Sequence, residues 1–338
     1  MDTSQLLIDA AAVLASASPL VIAALAEMIS ERAGVVNLSL DGKMLLAGMV
    51  GFAVAYNTGS VGLGFMAAAL LGGLVALILC FVSLSLRQSQ NAAGFVLSLL
   101  CTDLSSFLGS PYNRQIGPTV PHAPIPLLSD IPVLGPLLFT HDAVIYSSFL
   151  LIPLMWWFLM RTRPGVLVRS LGERPQAAFA RGAQVTPLRY LVVICAGMLI
   201  GIAGAAYTLD LKQGWSYRHI AGIGWIVLAI VIFGGWNPWR IALGCYLFGA
   251  LQTLASRWQS DPPTAFGGLL ASIPTQVYQV APFALMIFVL ALVNGLTNPA
   301  VGRWVAGLPT PVRRPIHWLI ARLSMPAPSA LGQPFVRP

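Results

Sequence analysis

The stretch GLGFMAAALLGGLVALILCFVSLSL, residues 62–86, runs for twenty-five positions without a charged side chain. AVIYSSFLLIPLMWWFLM, residues 143–160, is nearly as long and equally apolar. An α-helix rises 1.5 Å per residue, so about 20 such residues cross the roughly 30 Å hydrocarbon core of a bilayer. Several runs of that kind leave a water-soluble fold little room. Composition closes the question: only 9% of the 338 residues are charged, against about a quarter in a soluble domain. The expected fold class is therefore all-α, a polytopic transmembrane helical bundle.

Breaks at Gly, Pro and charge divide the chain into about nine spans (eight to ten): 5–27, 34–55, 62–86, 92–110, 143–160, 187–211, 220–236, 239–257 and 274–297. The first five residues hold Asp2 and no basic group, so the first span is expected to be retained and not cleaved as a signal. With nine spans the loops fall into two sets. One holds Arg32, Arg87, Arg240, six arginines from Arg161 to Arg189 and five from Arg303 to Arg337. The other holds Arg114, Lys212, Arg218 and Arg257. Fourteen against four, with Lys43 inside a span, predicts by the positive-inside rule an external N-terminus and a cytoplasmic C-terminus. The same distribution explains a basic pI without invoking nucleic acid as a partner.

Residues 1–297 form the expected permeation domain and 298–338 a basic cytoplasmic tail. Within the first, 110–142 is a Pro-rich external loop, either a partial lid or a docking surface, and 161–187 is the longest cytoplasmic loop before the tail. In that loop Pro175 to Arg181 is long enough for two helical turns. The stretch 261–274 is too short to cross and reads as re-entrant or interfacial, and 313–323 suits the inner lipid surface. Gly197, Gly201 and Ala205 share one helix face, a small-residue seam for close helix packing. The tryptophans at 156, 157, 236, 239 and 304 read as an interfacial aromatic belt.

The chain lacks the GxxxxGK[ST] loop, HExxH, GxSxG and any paired-cysteine cluster, so neither P-loop ATP hydrolysis nor a metal site is expected. Cys80, Cys101, Cys195 and Cys245 lie in apolar runs and read as packing residues. Intramembrane polar groups are few: Asp9, Glu27, Asp41, Lys43, Asp103 and Asp210. Such groups are costly in lipid and generally face a pathway or one another. Asp41 and Lys43, two apart, point to different faces of a regular helix and are not expected to pair.

The polar interruption ERAGVVNLSLDGKML, 31–45, is the main anomaly. One reading makes 28–33 a cytoplasmic turn with Glu31 and Arg32 as solvated charges. The other, favoured for Asn37 to Gly42, makes it a broken helix whose free backbone groups line a solute pathway.

At these residues the chain resembles a known family. ERAGVVNLSLDGKMLLAG is similar to the N-terminal signature of ABC-importer permeases of the branched-chain amino acid, simple sugar and nucleoside group, above all the nucleoside permeases. SQNAAGFVLSLLCTDLSSFLGSPY (89–112), VRSLGERPQAAFARGAQVTPLRYLVVICAGMLIGIAGAAYTL (168–209) and GIGWIVLAIVIFGGWNPWRIALGCYLFGALQTL (222–254) resemble, in order, the second permease subunit of purine-nucleoside importers. The resemblance covers most of residues 20–296. It departs at Asp41, where the family usually has Glu, and at Lys43, where it has Gln, a cation suited to a solute with an anionic or strongly accepting group. The tail is not covered.

The resemblance implies half of a transporter in a bacterial inner membrane. A second homologous permease, ABC ATPase subunits binding ATP and Mg, and a solute-binding lipoprotein or periplasmic protein would complete it, with no cofactor in this chain. The solute would be a nucleoside or related simple sugar. A ribose-type or branched-chain amino acid permease and a stand-alone secondary transporter are the alternatives. ATPase coupling is assigned to Leu171, Gly172, Glu173, Arg174, Pro175, Ala177, Ala178 and Gly182, a rigid short helix after a Gly-Glu-Arg turn. The solute pathway is assigned to Asn37, Ser39, Asp41, Gly42, Asn91, Phe95, Ser98, Thr102 and Gln252, with Phe95 placed to stack on a base.

Overall fold

The computed structural model describes residues 3–126, 128–129, 131, 135–260 and 327–335, together with helical positions 277, 280, 284, 287, 288 and 291. Among the described residues there is no β-strand beyond two isolated bridges. Up to residue 260 the described residues form ten α-helices: α1 (Thr3–Arg32), α2 (Leu40–Thr58), α3 (Val61–Cys80), α4 (Gln90–Gly109), α5 (Ala143–Arg161), α6 (Arg163–Glu173), α7 (Pro175–Ala180), α8 (Val185–Ala206), α9 (Ile223–Phe233) and α10 (Pro238–Ser260). Single π-helical turns, Phe81–Ser85 and Tyr207–Leu211, prolong α3 and α8.

Among the described residues, five helical stretches are long and apolar enough to cross a membrane: Leu7–Arg32, Val61–Ser85, Gln90–Tyr112, Ala143–Arg161 and Val185–Leu211. The protein is thus a multi-pass helical membrane protein. α1 is its axis, buried on all sides over residues 17–31 and packed by α5, α8, α9 and α10. A helix of that kind belongs inside a bundle. α2 packs between α3, α4 and α8 and also meets α9.

Small residues set the closest approaches, as packing in lipid requires. A Cβ built on Gly201 would overlap the Ala68 carbonyl, and one on Gly72 the Gly197 carbonyl, so α3 and α8 touch backbone to backbone. Ala205 continues that seam against Gly51 of α2. The predicted Gly197, Gly201, Ala205 face is the one used.

Two expectations need correction. Residues 28–33 are not a turn: α1 stays helical through Arg32, and the non-helical link is 33–39. Its stop is a Schellman motif, with Gly34 left-handed at φ +88°, its N–H donated to Glu31 O and the Val35 N–H to Ser30 O. Nor is 220–236 one full span. α9 has 11 residues, about 16 Å of helix, and begins after an irregular segment that leads from Lys212 to a left-handed Gly222. Composition could not separate a buried half-helix from a short span, because both are apolar throughout.

Of the expected last span, positions 277, 280, 284, 287, 288 and 291 are helical. The remainder of 274–297, the 261–274 stretch and 313–323 lie outside the described residues.

Candidate functional site

The elbow between α1 and α2 is polar and closed. Glu27, Asn37, Ser39 and Lys43 are each at most 1% exposed. The Asn37 amide ties them together: Nδ2 donates to Glu27 Oε2 at 2.8 Å, while Oδ1 accepts from Ser39 Oγ at 2.6 Å and Lys43 Nζ at 3.4 Å. Only a side chain with both donor and acceptor can bridge a carboxylate to an ammonium in this way. Glu31, one turn after Glu27, accepts from the Trp236 indole N–H. Val36 N–H donates to Gln90 Oε1 at 2.8 Å, fixing the elbow to the start of α4. Buried charges persist only when paired and hydrogen-bonded, so this network holds the chain's break in place.

Asp41, in the first turn of α2, caps another helix. Its Oδ1 accepts the Gly222 and Gly224 N–H groups, both at 2.9 Å. A carboxylate at an N-terminus satisfies orphan donors and meets the positive end of the helix dipole. The half-helix α9 therefore begins inside the bundle because α2 supplies its cap, and a Cβ on Gly224 would collide with Asp41 itself. The α4 side is equally tight: Gly42 N–H donates to Ser98 Oγ at 3.2 Å, and a Gly42 side chain would enter the Ser98 backbone.

α6 lies against the elbow, and α7 packs on α6 and α8. Thr162 Oγ1 caps α6 by accepting the Gly165 N–H at 3.1 Å, and proline occupies the first turn of each helix. Gly172, near the end of α6, has no room for a Cβ beside the Arg32 carbonyl. Glu173 lies 3.8 Å from the Arg32 guanidinium, which also donates to Trp236 O at 3.0 Å. Arg189, in the first turns of α8, is fully buried and donates to Leu171 O at 2.9 Å. The outer side of α6 and α7 forms a groove of about 490 Å³ lined by Val166, Ser170, Glu173, Arg174, Ala177 and Arg181. Pro175 and Ala178 are buried, Ala178 within the groove's lining, and Gly182 closes α7 at φ +89°.

The sequence-predicted pathway residues separate into three groups. Asn37, Ser39, Asp41, Gly42 and Ser98 are buried and bonded within the elbow and its contacts. Asn91 and Phe95 are exposed on α4, with half-buried Thr102 back-bonded to Ser98 O at 2.8 Å. Gln252, on α10, has a buried Oε1 without a partner among the described residues.

Phe95 pairs with Trp225 of α9, ring centroids 5.4 Å apart and both exposed. Further along this face Asp103 and Arg218 form an ion pair at 3.1 Å. Sequence reasoning singled out Glu27 as an intramembrane polar group and read Glu31 as a solvated charge, which is instead buried, and it missed Trp225 and Trp236 as participants. Glu27 and Glu31, four apart on one helix face, carried a signal that went unused.

The family described as "Branched-chain amino acid transport system / permease component" matches residues 10–290. The chain is similar to the putative glucose ABC transporter permease protein TsgC13 of Haloferax volcanii, 36% identical over 290 residues, 82% of this chain and 88% of that one. It is similar to the nucleoside ABC transporter permease protein NupC of Lactococcus lactis, 33% identical over 82% of this chain and 89% of that one. To the guanosine ABC transporter permease protein NupQ of Bacillus subtilis it is 32% identical, over 86% and 93%. With a helical membrane bundle and matches of this extent, the chain belongs to the permease-component family of branched-chain amino acid type transport systems.

Proposed function

We propose that this permease is one half of the membrane pathway of an ATP-driven importer for a nucleoside or a related simple sugar. The observation that carries the reading is the seating of α6 on the elbow, where Gly172 meets the Arg32 backbone. A helix pair on the arginine-rich end, with an open groove outside and a backbone contact inside, suits a lever driven by a separate ATPase. ATP and Mg belong to that partner, and this chain contributes no hydrolytic site.

α6, α7 and the elbow share the arginine-rich end of the bundle, which supports placing that end and the C-terminus in the cytoplasm. The setting is the bacterial inner membrane, with a second permease and a solute-binding receptor as companions. The similarity to permeases named for nucleosides and for glucose supports the solute class.

The pathway runs along the exposed face of α4 and α9. Phe95 and Trp225 give a base or sugar face an apolar platform, and Asp103, Arg218, Asn91 and Thr102 supply polar contacts at its margins. Asn37, Ser39, Gly42 and Ser98 act behind that face by holding its backbone, and Asp41 by starting α9.

The test is uptake of tritiated guanosine, uridine and glucose by proteoliposomes holding the full complex. ATP-dependent accumulation of a nucleoside or sugar is expected, lost when the ATPase partner is made hydrolytically inactive. Uptake that ignores ATP would overturn the reading.

A further inference from the structure

Residues 327–335 lie well beyond the family match, which ends at residue 290, yet they are built into the coupling end of the bundle. Ala330 N–H donates to Gly172 O at 2.8 Å, and Gly332 N–H donates to Gly34 O at 3.1 Å. The segment thus bonds both to the last turn of α6 and to the glycine that ends α1. Arg189 divides its guanidinium between Leu171 O at 2.9 Å and Gln333 O at 3.1 Å. Ser329 donates through N–H and Oγ to Glu173 Oε2, at 3.3 and 3.1 Å. Phe335 packs on Phe179 of α7 with ring centroids 5.7 Å apart. Pro328 and Ala330 are buried in the process.

On the reading that α6 and α7 couple transport to an ATPase, we infer that residues 327–335 are a positioning strut. They clamp α6, α7, the start of α8 and the α1–α2 elbow into one rigid body. Without the strut, α6 meets the elbow chiefly through Gly172 and the 3.8 Å approach of Arg32 to Glu173. With it, motion of α7 reaches Gly34 through a continuous backbone path: Phe335, Gln333, Gly332. A detachable latch fits the geometry poorly. Release would strip partners from the Gly172 and Gly34 carbonyls and from the fully buried Arg189, and stranded buried polar groups are costly.

The experiment uses the complete importer in proteoliposomes. This chain is either ended at residue 326 or carries Ala330→Pro, which removes the N–H given to Gly172 and leaves the rest of the strut. Assembled complex, solute uptake and ATP hydrolysis are measured together. Both variants are expected to hydrolyse ATP while the solute carried per ATP falls about fivefold or more. A general folding defect would lower both activities with the amount of complex and leave that ratio unmoved. An unchanged ratio overturns the strut, and a raised one identifies the segment as an inhibitory strap.

If neither variant assembles, Ala330→Cys in a Cys195→Ser background decides by maleimide labelling. Protection in both nucleotide-free and vanadate-trapped complexes is expected, and labelling in either state overturns the proposal. Ala177→Glu, an exposed position of the α6–α7 groove that does not touch the strut's bonds, serves as the reference arm. If it also leaves the ratio intact, the coupling reading itself fails. If it alone lowers the ratio, only the strut fails.

Discussion

The elbow and the α4–α9 face lie on opposite sides of Asp41 and Ser98, and they use polar side chains in opposite ways. In the elbow the principal polar groups, Glu27, Asn37, Ser39 and Lys43, bond to one another and are buried to the last few per cent. On the α4–α9 face the aromatic pair and the Asp103–Arg218 ion pair remain exposed. The first arrangement fixes a geometry and the second leaves surface for something else to touch. A polar residue within a membrane span is therefore no guide to solute contact by itself. Partnering separates the two roles.

That contrast can be broken at graded cost. Gly42→Val should be the most damaging change, because the added side chain meets Ser98 backbone and no rotamer can relieve it. A loss of about 3 kcal/mol or more is expected, at the upper end for overpacking, seen as failed insertion or a collapsed melting temperature in detergent. Lys43→Met should cost about 3 kcal/mol by leaving Glu27 buried without its cation. The double change Glu27→Gln with Lys43→Met should regain more than half, and the absence of any recovery would show that the two charges do not share one network.

Asp41→Ala should cost about 2 kcal/mol through the lost cap on α9, while Asp41→Asn, which keeps an acceptor, costs less than half as much. Phe95→Ala and Trp225→Ala should leave the melting temperature nearly unmoved. They should weaken transport by about 1 kcal/mol, a roughly fivefold rise in the KM for uptake, as expected for one lost stacking partner. Smallest of all, Arg218→Ala should change stability by about 0.5 kcal/mol, the ordinary worth of a solvated ion pair. A loss several times larger would mean that this face meets lipid and not water.

Much of this was legible in the sequence. Apolar run lengths predicted α3, α4, α5, α8 and α10 to within a few residues, because lipid thickness sets both the run and the helix. Pro175 marked the start of α7, whereas the first span, read as 5–27, stays helical to Arg32. The sequence did not reveal α6, whose Arg163–Glu173 stretch is too polar for a span and was read only as loop. It also did not reveal that Asp41 caps a helix nearly two hundred residues later, since a tertiary cap leaves no local pattern. Phe95 was selected as a stacking residue, but its companion Trp225 came from another helix and could be joined to it only by the fold.

The central claim is that transport is driven through the elbow from its arginine-rich end. The most direct measurement is tritiated nucleoside accumulation in sealed proteoliposomes holding the whole complex, with Ala177→Glu, on the exposed outer groove of α7, compared against the unaltered chain at matched ATP hydrolysis. The account predicts continued hydrolysis with accumulation reduced about tenfold. Accumulation that matches the unaltered complex, or that proceeds with no ATPase subunit present, would contradict it.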